Sequence, residues 1–363
     1  MTFEAMARPT GIGSLPFRDP EEACRFILDR LPELPFWPQL PKRGPSENMY
    51  VQFGPGLPGL AEEGPDLILD RGAGGGGVGG NVAGGGGEAA PDYDQALAAL
   101  YQRCLEDDYD WPLRCDHAAG FYALTEGHAA AVGRALAVKG QITGPVSYGL
   151  TVQGRDKRLL IYDETAFDGV VKGLALQAKW QERALRRLNP ATILFLDEPS
   201  MAAFGSAYYN LSRDQVIAAI KEVTAGLEGL TGVHCCGNTD WSVLIDAGLD
   251  ILSFDAYYYA KNLSLYPEAV SGFIARGGLL AWGIVPTDTN DAVKETASTL
   301  VDRLEQALTW FEDKGLDRER LVRQSLITPS CGLGGRPVET AERAFRLVLG
   351  VSEEIRRRYG LSP

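Results

Sequence analysis

The segment Gly232-Val233-His234-Cys235-Cys236-Gly237-Asn238 holds one of the chain's three histidines and two of its six cysteines. Imidazole and thiolate are the ligands that a borderline-soft cation such as zinc prefers. Residues two apart on a strand point to the same face, so a strand here projects His234 and Cys236 together and turns Cys235 away into packing. Cys331, in Leu326-Ile327-Thr328-Pro329-Ser330-Cys331-Gly332-Leu333, follows the last apolar run and is a candidate third ligand. Asp255, at the end of the next apolar run after the His-Cys pair, is a candidate fourth. The alternative is that the thiols are small buried hydrophobes and Asp255 a helix cap.

Zinc held by two thiolates, one neutral imidazole and one carboxylate carries a net negative formal charge. Such a site makes hydroxide poorly but holds an incoming thiol as its thiolate, which suggests alkyl transfer to sulfur. Metal-assisted hydrolysis is the competing chemistry and needs a general base such as Glu198. Asp197-Glu198-Pro199 ends the apolar run Ile193-Leu194-Phe195-Leu196, so two candidate catalytic carboxylates emerge together. They suit a substrate ammonium, or else cap a helix or pair with an arginine. Ile12-Gly13-Ser14 offers backbone N–H groups and a hydroxyl, a seat for a carboxylate or a plain glycine turn. An anion seat, an ammonium-binding carboxylate and a thiol-binding metal together describe an amino acid that bears a thiol.

These residues need a frame that brings them together. From about residue 135 short apolar runs alternate with amphipathic stretches, the rhythm of βαβ units and a parallel sheet. The candidate strands are 136–142, 192–196, 233–236, 251–254, 279–284 and 326–328, and an early strand ends at Thr10-Gly11-Ile12-Gly13-Ser14. The helical patterns cover 20–31, 164–188, 213–227, 239–247, 267–275, 291–313 and 338–357. Residues 49–53, within a Pro- and Gly-rich connection, are the candidate eighth strand. No dinucleotide fingerprint follows the first strand, so the pattern predicts an α/β fold of the (β/α)₈ TIM-barrel type in one catalytic domain over residues 1–363. In that architecture chemistry gathers at the C-terminal ends of strands. Ser14, Gln141, Thr143, Asp197, Glu198, His234, Cys236, Asp255, Trp282, Ser330 and Cys331 all fall there.

The net charge of −13 argues against nucleic acid or an anionic membrane as partner. The N-terminus lacks the apolar core of a signal peptide and no apolar run is long enough for a membrane span, so a cytoplasmic protein is expected. Six cysteines in 363 residues are too sparse for a disulfide scaffold and are expected to be free thiols or ligands. The glycine-rich tract within 72–91 is read as a flexible surface loop, because no Gly-Lys-Ser/Thr follows it. His117 and His128 read as surface residues without a role.

Five segments in order resemble the C-terminal catalytic domain of cobalamin-independent methionine synthase: Ile12-Gly13-Ser14-Leu15-Pro16, Lys139-Gly140-Gln141-Ile142-Thr143-Gly144-Pro145, Leu196-Asp197-Glu198-Pro199, His234-x-Cys236, and Cys331-Gly332-Leu333. The barrel is shared with uroporphyrinogen decarboxylase and corrinoid-dependent thiol methyltransferases. The resemblance implies that His234, Cys236 and Cys331 bind zinc, that Asp197 contacts the homocysteine ammonium, and that Ile12, Gly13 and Ser14 receive its carboxylate. It also implies that Glu47 helps bind the amino acid. The family's fourth ligand is a glutamate, replaced here by the shorter Asp255.

Two departures bear on the methyl donor. The chain begins at the catalytic barrel, without the N-terminal barrel that helps bind methyltetrahydrofolate in the family. Trp282-Gly283-Ile284-Val285-Pro286-Thr287 also lacks the histidine that the family uses to protonate the folate leaving group. A methylated corrinoid needs no such acid, because cobalt leaves as Co(I). The expectation is therefore methyl transfer from a methylated corrinoid, carried by a partner corrinoid protein, to zinc-bound homocysteine. The alternatives are another thiol such as coenzyme M, which Asp197 and Glu47 would not suit, a uroporphyrinogen decarboxylase-like activity, and a non-enzymatic zinc- or thiol-binding protein.

Overall fold

The computed structural model describes residues 3–71 and 92–361, so the reading of the glycine-rich tract lies outside the described residues. The fold is α/β. Its strands are β1 (Arg8–Pro9), β2 (Leu60–Glu63), β3 (Asp66–Leu69), β4 (Val138–Thr143), β5 (Gln153–Gly154), β6 (Thr192–Asp197), β7 (Leu230–Cys235), β8 (Ile251–Phe254), β9 (Leu279–Val285) and β10 (Ser325–Pro329). Seven of them form a curled parallel sheet in the order β1-β10-β9-β8-β7-β6-β4, and β2, β3 and β5 form a small separate sheet. Helices follow the strands of the larger sheet: Pro20–Arg30 after β1, Glu164–Arg186 before β6, Arg213–Thr224 before β7, and Val338–Arg358 after β10. Among the described residues no helix is long and apolar enough to cross a membrane.

Both faces of this sheet are covered, which is why β4, β6, β8, β9 and β10 are buried along their whole length. Alternation divides each strand between two cores. Ile193, Phe195, Ile251, Leu279, Ala281 and Leu326 pack together in a small inner cluster. Their neighbours Leu194, Leu196, Leu252, Leu280, Trp282 and Ile327 belong to the large outer core between sheet and helices. Extending the same period of two, the inner face carries Lys139, Gln141 and Thr143 on β4, Asp197 at the end of β6, and Gly232 and His234 on β7. Gly232 confirms the register, since a Cβ there would lie 2.5 Å from the Phe195 ring.

The candidate eighth strand over residues 49–53 is not a strand. Val51–Phe53 form a turn of 3₁₀ helix. The segment between the sheet's two edges is instead 35–39: Phe36 pairs with Lys139 and Gln39 with Ser14, both in parallel. Trp37 donates from its backbone to Lys139, Lys139 to Pro35, Gln39 to Gly13, and Leu15 to Gln39. Pro35 and Pro38 remove two N–H donors from this stretch, so no regular ladder forms and the sequence has no strand pattern there. The helix expected over 291–313 also divides, into Thr289–Ala292 and Ala297–Glu312, because Thr296 caps the second piece.

Candidate functional site

At the C-terminal ends of the strands a cavity of about 270 Å³ is lined by Ile12, Ser14, Asp197, His234, Cys236 and Cys331, and on the other side by Gln39, Glu47 and Met49. A larger cavity of about 810 Å³ lies near Pro9, Leu34 and Arg356, away from any thiol or imidazole. The smaller one holds the chemistry.

His234, Cys236 and Cys331 each offer a ligand atom, and these atoms lie within 4.8 Å of one another. The Nδ1 of His234 meets the Ser253 hydroxyl of β8 at 3.0 Å. Its Nε2 is buried with no protein partner, the arrangement that a metal-ligating imidazole shows when its other nitrogen is fixed. Cys331 and His234 beside Cys236 hold that thiol down to about 4. Cys331 is pushed the opposite way, first by its hydrogen bond with Cys236 and then by burial. Two thiols and an imidazole with one free nitrogen fit a soft divalent cation such as zinc. Cys235 faces the outer core, donates to the Gly237 carbonyl at 3.5 Å, and is pushed up to about 12 by burial.

Asp197 is 7% exposed, and its Oδ1 is buried without a partner. Burial pushes its carboxyl up to about 6, against the opposing pull of His234 and Lys139. Glu198, the next residue, points to the outer face. It accepts from the backbone N–H of Val146 (2.9 Å) and Ser147 (2.7 Å) and from the Ser147 hydroxyl (2.6 Å), anchoring the start of the helix Pro145–Thr151. Burial pushes Glu198 up to about 7, and these donors oppose the shift. It does not line the cavity.

Asp255 caps the helix Ala256–Leu263 by accepting from Tyr258 N at 3.0 Å, and burial pushes it up to about 7. It stands outside the group of three converging ligand atoms. Glu47 lines the cavity with its carboxylate held by Arg43 Nε (2.7 Å) and Leu40 N (3.1 Å), and burial raises its pKa against the pull of Arg43. Ser14 is tied to the Cys331 loop: its hydroxyl accepts from Gly334 N at 3.2 Å, and its carbonyl from Leu333 N at 3.0 Å.

Sequence reasoning missed Gln39 and gave Lys139 no role. Gln39 lies between prolines, where no pattern marks it; Lys139 was marked, as a charge inside an apolar strand. His117, read as surface, is buried between Asp116 Oδ1 (2.8 Å) and Glu62 Oε1 (3.0 Å). An imidazole that serves two carboxylates is shielded by them, and the surrounding turn carries no apolar period to reveal it. His128 pairs with Glu21 at 3.0 Å.

No protein-family model matches the chain, and no curated protein does. Solved structures similar to it include a B12-independent methionine synthase from Shewanella sp. W3-18-1 in complex with selenomethionine, at 19% identity and TM-score 0.48 over 66% of this chain and 68% of that one. A methyltransferase from Methanosarcina mazei matches at 14% identity and TM-score 0.38, over 64% and 66%. A putative vitamin-B12 independent methionine synthase from Listeria monocytogenes matches at 16% identity and TM-score 0.45, over 64% and 69%. The structural neighbours thus include the family that the sequence motifs resemble. At these identities and TM-scores the likeness does not itself assign chemistry to this chain.

Proposed function

We propose that this chain is a zinc-dependent methyltransferase that moves a methyl group to a metal-activated thiol, homocysteine, to give methionine. The observation that carries the reading is the buried, unpartnered Nε2 of His234, which converges with the thiols of Cys236 and Cys331 in a cavity that Asp197 also lines. Bound there, zinc supplies Lewis acidity that keeps an incoming thiol deprotonated. Asp197, with one oxygen unpartnered, receives the substrate ammonium, and Glu47, which lines the same cavity, adds negative charge. Ile12, Gly13 and Ser14 receive the carboxylate through the backbone. The Tyr258 cap engages only Oδ1 of Asp255, which leaves Oδ2 as the oxygen that would serve as fourth ligand, and zinc stoichiometry in Asp255→Ala tests that role.

Hydrolysis is the weaker reading, because Glu198, its candidate base, is held by three donors outside the cavity. For the donor we propose a methylated corrinoid delivered by a partner corrinoid protein, since the end of β9 and the residues after it, Val285-Pro286-Thr287, offer no imidazole to protonate a folate leaving group. We further propose that segment 35–39 completes the curled sheet as a (β/α)₈ barrel in a single domain, and that the protein works in the cytoplasm. The test is anaerobic incubation of zinc-loaded protein with methylcobalamin and homocysteine. Methionine is expected. Its absence, with methyltetrahydrofolate polyglutamate active instead, refutes the corrinoid donor.

A further inference from the structure

Lys139 is fully buried on the inner face of β4 and no step above uses it. Its Nζ donates to the Ile12 carbonyl and to Gln141 Oε1 at 3.2 Å, and lies 4.5 Å from the centre of the Phe195 ring. Gln141 in turn donates to the Trp37 carbonyl at 3.0 Å and packs behind Gly13, where a Cβ would lie 2.8 Å from its Cδ. Lys139 and Gln141 thus form a bracket on the back of the Ile12–Ser14 turn.

The Ile12 carbonyl and the Gly13 N–H belong to one trans peptide, so they point in opposite directions. A donor on the carbonyl oxygen fixes that peptide plane and polarises the amide, which strengthens the N–H on the far side. Among the described residues the backbone N–H groups of Ile12, Gly13 and Ser14 have no acceptor, and Ile12 and Ser14 line the cavity. Among the described residues no lysine or arginine lines it, and Arg43 is engaged by Glu47.

We propose that Lys139 is a positioning residue: by holding the Ile12 carbonyl from behind, it orients the Ile12–Gly13 peptide to receive a carboxylate and makes the site select thiols that carry an α-carboxylate. The inference rests on the amino-acid-thiol reading above. Burial lowers the lysine's pKa against the opposing charge of Asp197, but the bracket needs only N–H donors, which the amine retains in either state.

The test is binding to cobalt(II)-substituted protein, read by the thiolate-to-cobalt charge-transfer band, for homocysteine and for 3-aminopropane-1-thiol, its carboxylate-free counterpart. In Lys139→Met the Kd for homocysteine is expected to rise about tenfold or more, while that for 3-aminopropane-1-thiol moves less than about twofold. Equal weakening of both thiols, or no change in either, overturns the proposal. If the wild-type protein binds neither thiol, or both equally, the amino-acid-thiol reading itself falls and this inference with it. A variant-free measurement covers misfolding: in ¹⁵N-lysine-labelled wild-type protein the buried Lys139 resonance should shift with homocysteine and not with 3-aminopropane-1-thiol. A resonance indifferent to homocysteine refutes the bracket.

Discussion

At the upper rim of the parallel sheet, the inner and outer faces treat the same functional groups differently. Asp197 faces inward and keeps a buried carboxylate oxygen without a partner, whereas Glu198 faces outward with its oxygens held by Val146 and Ser147. Cys236 lies against His234 and Cys331 and is held low, whereas Cys235 packs in the outer core and is pushed up. One step along a strand separates a group left open for a ligand from a group satisfied by the fold. The outward Glu198 and Cys235 are the more deeply buried of each pair, so depth of burial does not mark the site. What marks it is the convergence of two unpartnered atoms, Asp197 Oδ1 and His234 Nε2, on one cavity, whereas buried unpartnered atoms elsewhere, such as Trp241 Nε1, do not line it.

The contrast breaks most visibly at the metal. Cys236→Ser is expected to lose bound zinc and to lower methyl transfer by about a thousandfold or more, since it removes a thiolate ligand. Cys235→Ser should retain full zinc stoichiometry by atomic absorption, and loss of zinc from both variants would refute the division between faces. Next in size is the pair of carboxylates. Asp197→Asn should raise the KM for homocysteine by about ten- to a hundredfold, the effect of removing the charge that meets an ammonium.

Glu198→Gln should leave that KM within about twofold while lowering stability by about 1–3 kcal/mol, because an amide cannot accept from all three of its donors. Denaturant unfolding checks the second figure. The smallest effect is in pH. The folded carboxyl of Glu198 lies at about 7 against an ordinary 4.5, so the native state holds a proton that the unfolded chain releases. Its contribution is full below pH 4.5 and is lost as pH rises through about 7. Thermal midpoints should therefore fall across that window, and Glu198→Gln should flatten the fall.

The sheet and the grouping of His234 with Cys236 were legible in sequence because strand alternation is a local signal. His234-x-Cys236 needs only two side chains on one face, and Asp197 needs only the end of an apolar run. The same alternation places Glu198 on the outer face, yet Asp197-Glu198 reads in sequence as a single carboxylate pair. Segment 35–39 was not legible, since Pro35 and Pro38 erase the strand pattern while its remaining backbone groups still bond to both edges of the sheet. Asp255 stands between the two cases. Its position at a strand end was visible, but its commitment to the Tyr258 N–H depends on where the following helix begins.

The ties between the chain's first and last strands carry a consequence for biosynthesis. The Ser14 hydroxyl accepts from Gly334, 320 positions later, and β1 pairs only with β10 within the sheet. At about 10 residues per second, the ribosome delivers that partner on the order of half a minute after Ser14 emerges. Cys331 arrives on the same late segment. Until then the nascent protein presents His234 and Cys236 alone, too few ligands to hold a cation firmly, beside a turn held only by segment 35–39 and by Lys139. Under the function proposed above, capture of the ion and completion of the carboxylate seat would therefore be a single late event in the making of this protein.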